Sequence, residues 1–245
     1  MEEMEEQFIE LCTNGNLELA KKLFDDNPNI DISSNDEEAF RSACINGHLD
    51  VAKWLISVKP SINVSFYDEE AFRWACINGY LDVAKWLISV RPSINISIFN
   101  EEAFRLSCTN GRLEVVKWLL EKKRDIDIST QNDFAFRWTC KNGWIKVAEW
   151  FHSLYPEKYF IEVVDDKLVS YKVNIPITFI DKVILKKEQI ETCPICEQNE
   201  CNVQTSCKHS YCKECILTWL DSYKRTCPYC RETISYNTFY KIEVL

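Results

Sequence analysis

The chain has 245 residues, 46% hydrophobic and 27% charged, with only 5 Gly and 7 Pro. That balance excludes a disordered, collagen-like or low-complexity polymer. The net charge is −9, with the acidic surplus in residues 1–155 and none in residues 193–245, so no region offers the basic excess that nucleic acid or an anionic membrane surface requires.

No apolar run reaches the roughly 18 residues of a membrane span. The opening Met1-Glu2-Glu3-Met4-Glu5-Glu6 is acidic where a secretory signal is basic and then apolar. Both features place the protein on the reducing side of a cell, in cytoplasm or nucleus, with no basic targeting cluster to choose between them.

Thirteen cysteines, an odd number, fall into two classes. Cys12, Cys44, Cys76, Cys108 and Cys140 stand 32 residues apart, and the other eight crowd into residues 193–230. The same step of 32 relates Glu38-Ala39-Phe40-Arg41, Glu70-Ala71-Phe72-Arg73, Glu102-Ala103-Phe104-Arg105 and Phe134-Ala135-Phe136-Arg137. It also relates Asn-Gly at 14, 46, 78, 110 and 142, and Trp54, Trp86, Trp118 and Trp150.

Residues 1–155 are therefore an array of about five units, each reading helix, turn, helix. In the second unit Asp36 is placed to cap a first helix from Glu37 to Asn46, with Glu37 and Glu38 at the positive end of its dipole. Gly47 supplies a left-handed stop. Leu49, Val51, Ala52, Trp54, Leu55 and Ile56 form the apolar side of the second helix. Pro60 and Pro92 lie beyond second helices and forbid their continuation; an extended stretch follows at Ile62 to Ser65. One such pair cannot bury its apolar face alone, whereas stacked pairs can. The periodic cysteine, beside a small residue on the first helix, reads as a small buried hydrophobe.

The stretch Ala43-Cys44-Ile45-Asn46-Gly47-His48-Leu49-Asp50-Val51-Ala52-Lys53-Trp54-Leu55-Ile56 resembles the ankyrin repeat, with a small pair, Gly-His-Leu and an aliphatic second helix. Such divergent arrays are similar to those of large DNA viruses of eukaryotes. The chain departs from the family in its period, 32 in place of 33, and in Glu-Ala-Phe-Arg where the family opens with Thr-Pro-Leu-His. Those departures bear on the hairpin between units. The resemblance implies a protein-binding array whose tips point outward. The tips differ within the chain, and Phe66, Tyr67, Ile98 and Phe99 are the candidate anchors for a protein substrate. The other reading is that they pack against neighbouring tips.

Residues 156–192 break the period and read as a connector. Tyr159–Val164 and Lys167–Val173, parted by Asp165-Asp166, suit a hairpin. A strand within 175–185 is limited to an edge or an end by Pro176.

Residues 193–231 carry the chemistry. Cys193, Cys196, Cys207, His209, Cys212, Cys215, Cys227 and Cys230 are separated by gaps of two, ten, one, two, two, eleven and two residues. Eight ligands in four pairs provide for two tetrahedral zinc ions. A segment this short has too little core to fold without them. Cys201 is left over as a free thiol. A thioredoxin-like motif uses one Cys-x-x-Cys pair, not three, and a disulfide knot conflicts with the reducing context. A nucleic-acid finger would want a basic helix, whereas residues 216–223 are mostly apolar.

Three Cys, one His, then four Cys, with these gaps, resembles the RING finger. The plant-homeodomain finger has its His fifth and the LIM domain third. The resemblance, which spacing alone does not supply, implies interleaved sites: Cys193, Cys196, Cys212 and Cys215 for one zinc, and Cys207, His209, Cys227 and Cys230 for the other. It further implies docking of a ubiquitin-conjugating enzyme on Ile195, Trp219 and Pro228. Arg231 would be the basic residue that bridges that enzyme and ubiquitin.

The expectation from sequence is a mainly α protein: an ankyrin-type solenoid over 1–155, a short β-containing connector over 156–192, a two-zinc RING over 193–231 and a tail over 232–245. Its expected function is ubiquitin ligation without a covalent intermediate. The alternative is a non-catalytic scaffold whose RING is structural or dimerising, with pairing through residues 235–245.

Overall fold

The computed structural model describes residues 2–174, 178–185, 189–221, 226–232, 234 and 238–244. The chain divides into two compact units, residues 1–151 with 163–169, and residues 152–162 with 170–245. Among the described residues no helix is long and apolar enough to cross a membrane.

The first unit holds five helix pairs: α1 (Glu2–Thr13) with α2 (Leu17–Asp26), α3 (Ser34–Ile45) with α4 (Leu49–Val58), and α5 (Phe66–Asn78) with α6 (Leu81–Val90). Then come α7 (Ile98–Thr109) with α8 (Leu113–Lys122), and α9 (Thr130–Lys141) with α10 (Ile145–Leu154). The first helices stack in the order α1, α3, α5, α7, α9. Their phenylalanines Phe8, Phe40, Phe72, Phe104 and Phe136 are buried with the aliphatic side of the second helices. Three of the four repeated tryptophans reach back one unit: Trp54, Trp86 and Trp118 meet Phe8, Phe40 and Phe72 with ring centroids 6.0–6.4 Å apart. Such contacts exist only between units, which is why one pair cannot stand alone.

The repeated Asn-Gly does two jobs. Gly47, at φ +82, lets its N–H reach the Cys44 carbonyl and the His48 N–H reach the Ala43 carbonyl. These are the paired bonds that close a helix C-terminus through a left-handed residue. The asparagine ties units together: the Asn78, Asn110 and Asn142 side chains donate to the Ile45, Ile77 and Thr109 carbonyls of the preceding unit at 2.8–3.2 Å.

Asp36 does not cap α3. Asn35, Asp36 and Glu37 all have positive φ, so the right-handed part of α3 starts at Glu38, and the Asp36 carboxylate accepts from the Tyr67 hydroxyl at 2.7 Å. The same left-handed triplet recurs at 67–69, 99–101 and 131–133. L-residues resist this conformation, and the arginine of Glu-Ala-Phe-Arg is what stabilises it. Arg41 donates to the Asp36 and Asn35 carbonyls, Arg73 to Asp68 and Tyr67, and Arg105 to Asn100 and Phe99, at 2.7–3.3 Å. No β-strand forms among the repeats' described residues.

The five periodic cysteines are buried, and burial pushes their thiols up, to about 12 for Cys12 and Cys140. At pH 8 a thiol of pKa 12 is ionised in about one molecule in ten thousand, so all five should resist iodoacetamide in the native protein and react after denaturation. Mass spectrometry of modified peptides reads this directly.

β1 (Tyr159–Val164) and β2 (Lys167–Val173) form a two-stranded sheet. Asp165 and Asp166, both at positive φ, make the two-residue turn that matches strand twist. β3 (Thr178–Leu185) follows; Pro176 lies outside the described residues. A second sheet runs in the order β3, β6, β4, β5, from β4 (Val203–Gln204), β5 (Ser210–Tyr211) and β6 (Thr238–Val244). The stretch read as a tail thus supplies an interior strand, β6, parallel to β3 and antiparallel to β4. β3 pairs along the length of β6, whereas β4 meets it at Tyr240 and Lys241. Phe239 and Ile242 go into the core with Val203, Tyr211 and Ile216.

Candidate metal centre and docking groove

The metal-ligand residues gather into two tetrads, Cys193, Cys196, Cys212 and Cys215, and Cys207, His209, Cys227 and Cys230. Within each, the donor atoms all lie within 4.8 Å of one another. Tetrahedral zinc with bonds of about 2.3 Å to sulfur needs donors about 3.8 Å apart. Cys196 Sγ to Cys212 Sγ is 4.0 Å, and His209 Nδ1 lies 3.4 and 3.5 Å from the Cys207 and Cys227 sulfurs. The donor set and spacing fit zinc, and four protein donors would close its coordination shell and make it structural.

Local backbone explains the Cys-x-x-Cys pairs. The Glu197 N–H donates to the Cys193 carbonyl at 2.8 Å, and the Arg231 N–H to the Cys227 carbonyl at 3.0 Å. Glu197 and Arg231 both have positive φ. The two turns share one design: a left-handed residue after the second cysteine folds the pair around one point.

Neighbouring groups favour the thiolate at Cys196 and Cys227, whereas burial and the adjacent sulfurs push Cys215 and Cys230 up. Backbone N–H donors from Asn199 and Gln198 bring the Cys196 thiol down to about 7. Against burial, which raises it, the Tyr211 hydroxyl and the Cys230 and Tyr229 N–H groups bring Cys227 down to about 6. That hydroxyl lies 3.1 Å from the Cys227 sulfur. Burial pushes Cys201 up to about 11, which suits a neutral thiol outside both tetrads.

Sequence reasoning missed several supporting residues. Thr205, fully buried, stitches the ligand loop: its N–H and hydroxyl donate to the His209 carbonyl at 3.0 Å, and its carbonyl accepts from the Lys208 N–H. Asn202 accepts from the Lys213 N–H at 2.7 Å at the start of α11 (Lys213–Asp221). Polar residues between ligands carry no periodic signal that would single them out.

Ile195 and Trp219 come together. With Glu214, Cys215 and Thr218 they line a groove of about 320 Å³ beside the first tetrad. Ile195 is 39% exposed. Trp219 is half-buried against the core, and its indole N–H donates to the Thr226 carbonyl at 2.9 Å. Pro228 is half-buried and is not in that groove's lining. Arg231 is exposed directly after the last ligand.

At the repeat tips both readings meet in the same side chains. The Arg41 guanidinium lies 4.8 Å over the Tyr67 ring, and that of Arg73 lies 4.9 Å over Phe99. The two rings are packed on one face yet 52% and 49% exposed. Phe66 is half-buried, edge-on to Tyr67 at 4.7 Å, and Ile98 is half-buried.

Comparison with known families matches residues 8–100 to ankyrin repeats in three copies and residues 191–231 to the Ring finger domain. Among curated proteins, the DNA repair protein RAD5A of Arabidopsis thaliana is 43% identical over 61 residues. That match covers 23% of this chain and 6% of the relative, so it is a likeness of one segment.

Proposed function

This chain carries ankyrin repeats and a C-terminal RING finger, with Cys/His clusters whose donors fit zinc, and from that premise we propose that it is a RING-type ubiquitin ligase. Residues 1–155 bind a target protein. Residues 193–231 recruit a conjugating enzyme charged with ubiquitin, and residues 156–192 connect the two. Each tetrad holds one structural zinc, two per chain. The single observation that carries this reading is the apolar groove between Ile195 and Trp219, held open at the surface beside a tetrad that fixes both of its walls.

The mechanism follows from what is fixed. Zinc, when bound, supplies rigidity and no open coordination position. No thiol serves as nucleophile, since the periodic cysteines are buried and neutral, seven of the other eight cysteines face one another in the tetrads, and burial keeps Cys201 neutral. The side chains of Ile195 and Trp219 hold the conjugating enzyme through its apolar loops. The exposed Arg231 guanidinium, a fork of donors, bridges that enzyme and ubiquitin so that the thioester is set for an incoming lysine. Carrying the target on the same chain raises the local concentration of its lysines. The proposed site of action is the cytoplasm or nucleus, where cysteines stay reduced and can serve as zinc ligands.

The test is self-ubiquitination with a panel of conjugating enzymes. Ile195→Ala removes an exposed wall of the groove and should cut modification roughly tenfold, the scale of one lost interface anchor, with zinc content unchanged. Trp219→Ala should cut it at least as far, because it loses groove and core together. Full activity of Ile195→Ala with every enzyme of the panel would remove the groove from the mechanism.

A further inference from the structure

The first helices carry an exposed face that the repeat core does not use. Positions four apart on a helix share a face, so Glu38 with Ser42, Glu70 with Trp74, Glu102 with Leu106, and Phe134 with Trp138 form four successive rows along the stack. Trp74 is 40% and Trp138 38% exposed, and Leu106 between them is half-exposed. Large aromatics left open at one recurring position mark an interaction surface.

Charge on this face is graded. Arg41 pairs with Glu70 and Arg73 with Glu102, each arginine serving the next unit's glutamate. Glu38 lacks that partner because Ile9 stands where the preceding unit would place the arginine, and among the described residues neither Glu38 nor the exposed Asp68 carries an ion pair. At the other end Arg105 stacks 5.2 Å over Phe134, and Lys141 lies 4.7 Å over Trp138. One end of the stripe is acidic and uncompensated; the other is aromatic and flanked by a cation.

Stacked helices lie about 8–10 Å apart, close to the roughly 10.5 Å that a helix advances in seven residues. We propose that this face binds a basic amphipathic helix of a partner protein. Its apolar residues, spaced by sevens, sit on Trp74, Leu106 and Trp138, and its Lys or Arg residues lie at the Glu38 and Asp68 end. The proposal rests on the reading that the repeats select the target, and it names the class of target.

The probe is a labelled synthetic 21-residue helix with Leu at three positions seven apart and Lys clustered at one end, titrated with the full zinc-loaded chain. Binding is expected in the micromolar range and should weaken at least tenfold in Trp74→Ala/Trp138→Ala. Glu38→Lys/Asp68→Lys should weaken it about fivefold, with the difference shrinking as salt rises. Circular dichroism confirms that each variant keeps its helices, and the charge reversal touches no fully buried residue. Equal binding by the helix with Glu in place of Lys, by a proline-broken version of the same composition, or by the tryptophan variant would overturn the proposal, as would no binding at millimolar peptide. The assay contains no ubiquitin and no conjugating enzyme, so its failure leaves the ligase reading untouched, and an inactive RING leaves the binding result standing.

Discussion

Stripping zinc with a strong chelator at neutral pH should unfold the segment from residue 191 to 244 while the ten repeat helices persist. Three of the ten buried core residues of this segment, Cys193, Cys212 and Cys227, are themselves ligands, and Cys196, Cys207, Cys215 and Cys230 pack against that core. Without metal the core is built round a cluster of seven cysteines with no ion to hold their sulfurs together. Structural zinc contributes on the order of 10–16 kcal/mol at pH 7 in peptides of this size, more than the few kcal/mol such a small core supplies. Limited proteolysis should therefore release an intact repeat fragment only after chelation. Single substitutions sharpen the expectation. Cys227→Ser should lose one zinc of two and become protease-sensitive, whereas Cys201→Ser, outside both tetrads, should retain two. Retention of two zinc ions by Cys227→Ser would break the ligand assignment.

Gly111→Ala should destabilise the repeats far more than Gly143→Ala. Both glycines have left-handed φ, +71 and +73, and an alanine there costs about 1 kcal/mol. At Gly143 an added methyl meets open space, whereas at Gly111 it meets the Trp144 ring. That ring is anchored, its N–H donating to the Thr109 carbonyl at 2.7 Å. Displacing it adds about 1–3 kcal/mol of overpacking and breaks a bond between units. A total of roughly 2–4 kcal/mol lowers the melting point by about 5–15 °C in an array of this length. Equal shifts for the two variants would show that backbone conformation alone governs these positions.

What could be read from the sequence is what repetition or metal chemistry writes in fixed intervals. The 32-residue step of cysteine, Asn-Gly and tryptophan reflects contacts that every unit makes with the next. The ligand spacing reflects two thiols folding round one point. The left-handed triplets were illegible because their cause is not local: Asp36 has the chemistry of a cap, yet its conformation is held by Arg41 and its carboxylate is taken by Tyr67 from the next unit. β6 was illegible for a related reason. It pairs with β3, before the ligand region, and with β4, inside it, and no short-range signal announces partners about sixty and about forty residues away. Arg41 and Glu70 were visible only as parts of a motif, and their pairing needed the stack.

The central claim is that this RING orients a charged conjugating enzyme, and single-turnover discharge of that enzyme onto free lysine tests it without any substrate. Zinc-loaded protein should accelerate discharge by at least roughly tenfold, and Arg231→Ala should abolish most of that gain while keeping both zinc ions and enzyme binding, the signature of lost orientation rather than lost docking. No acceleration with any enzyme of a broad panel, from protein confirmed to hold two zinc ions, would contradict the claim and leave a binding scaffold in its place.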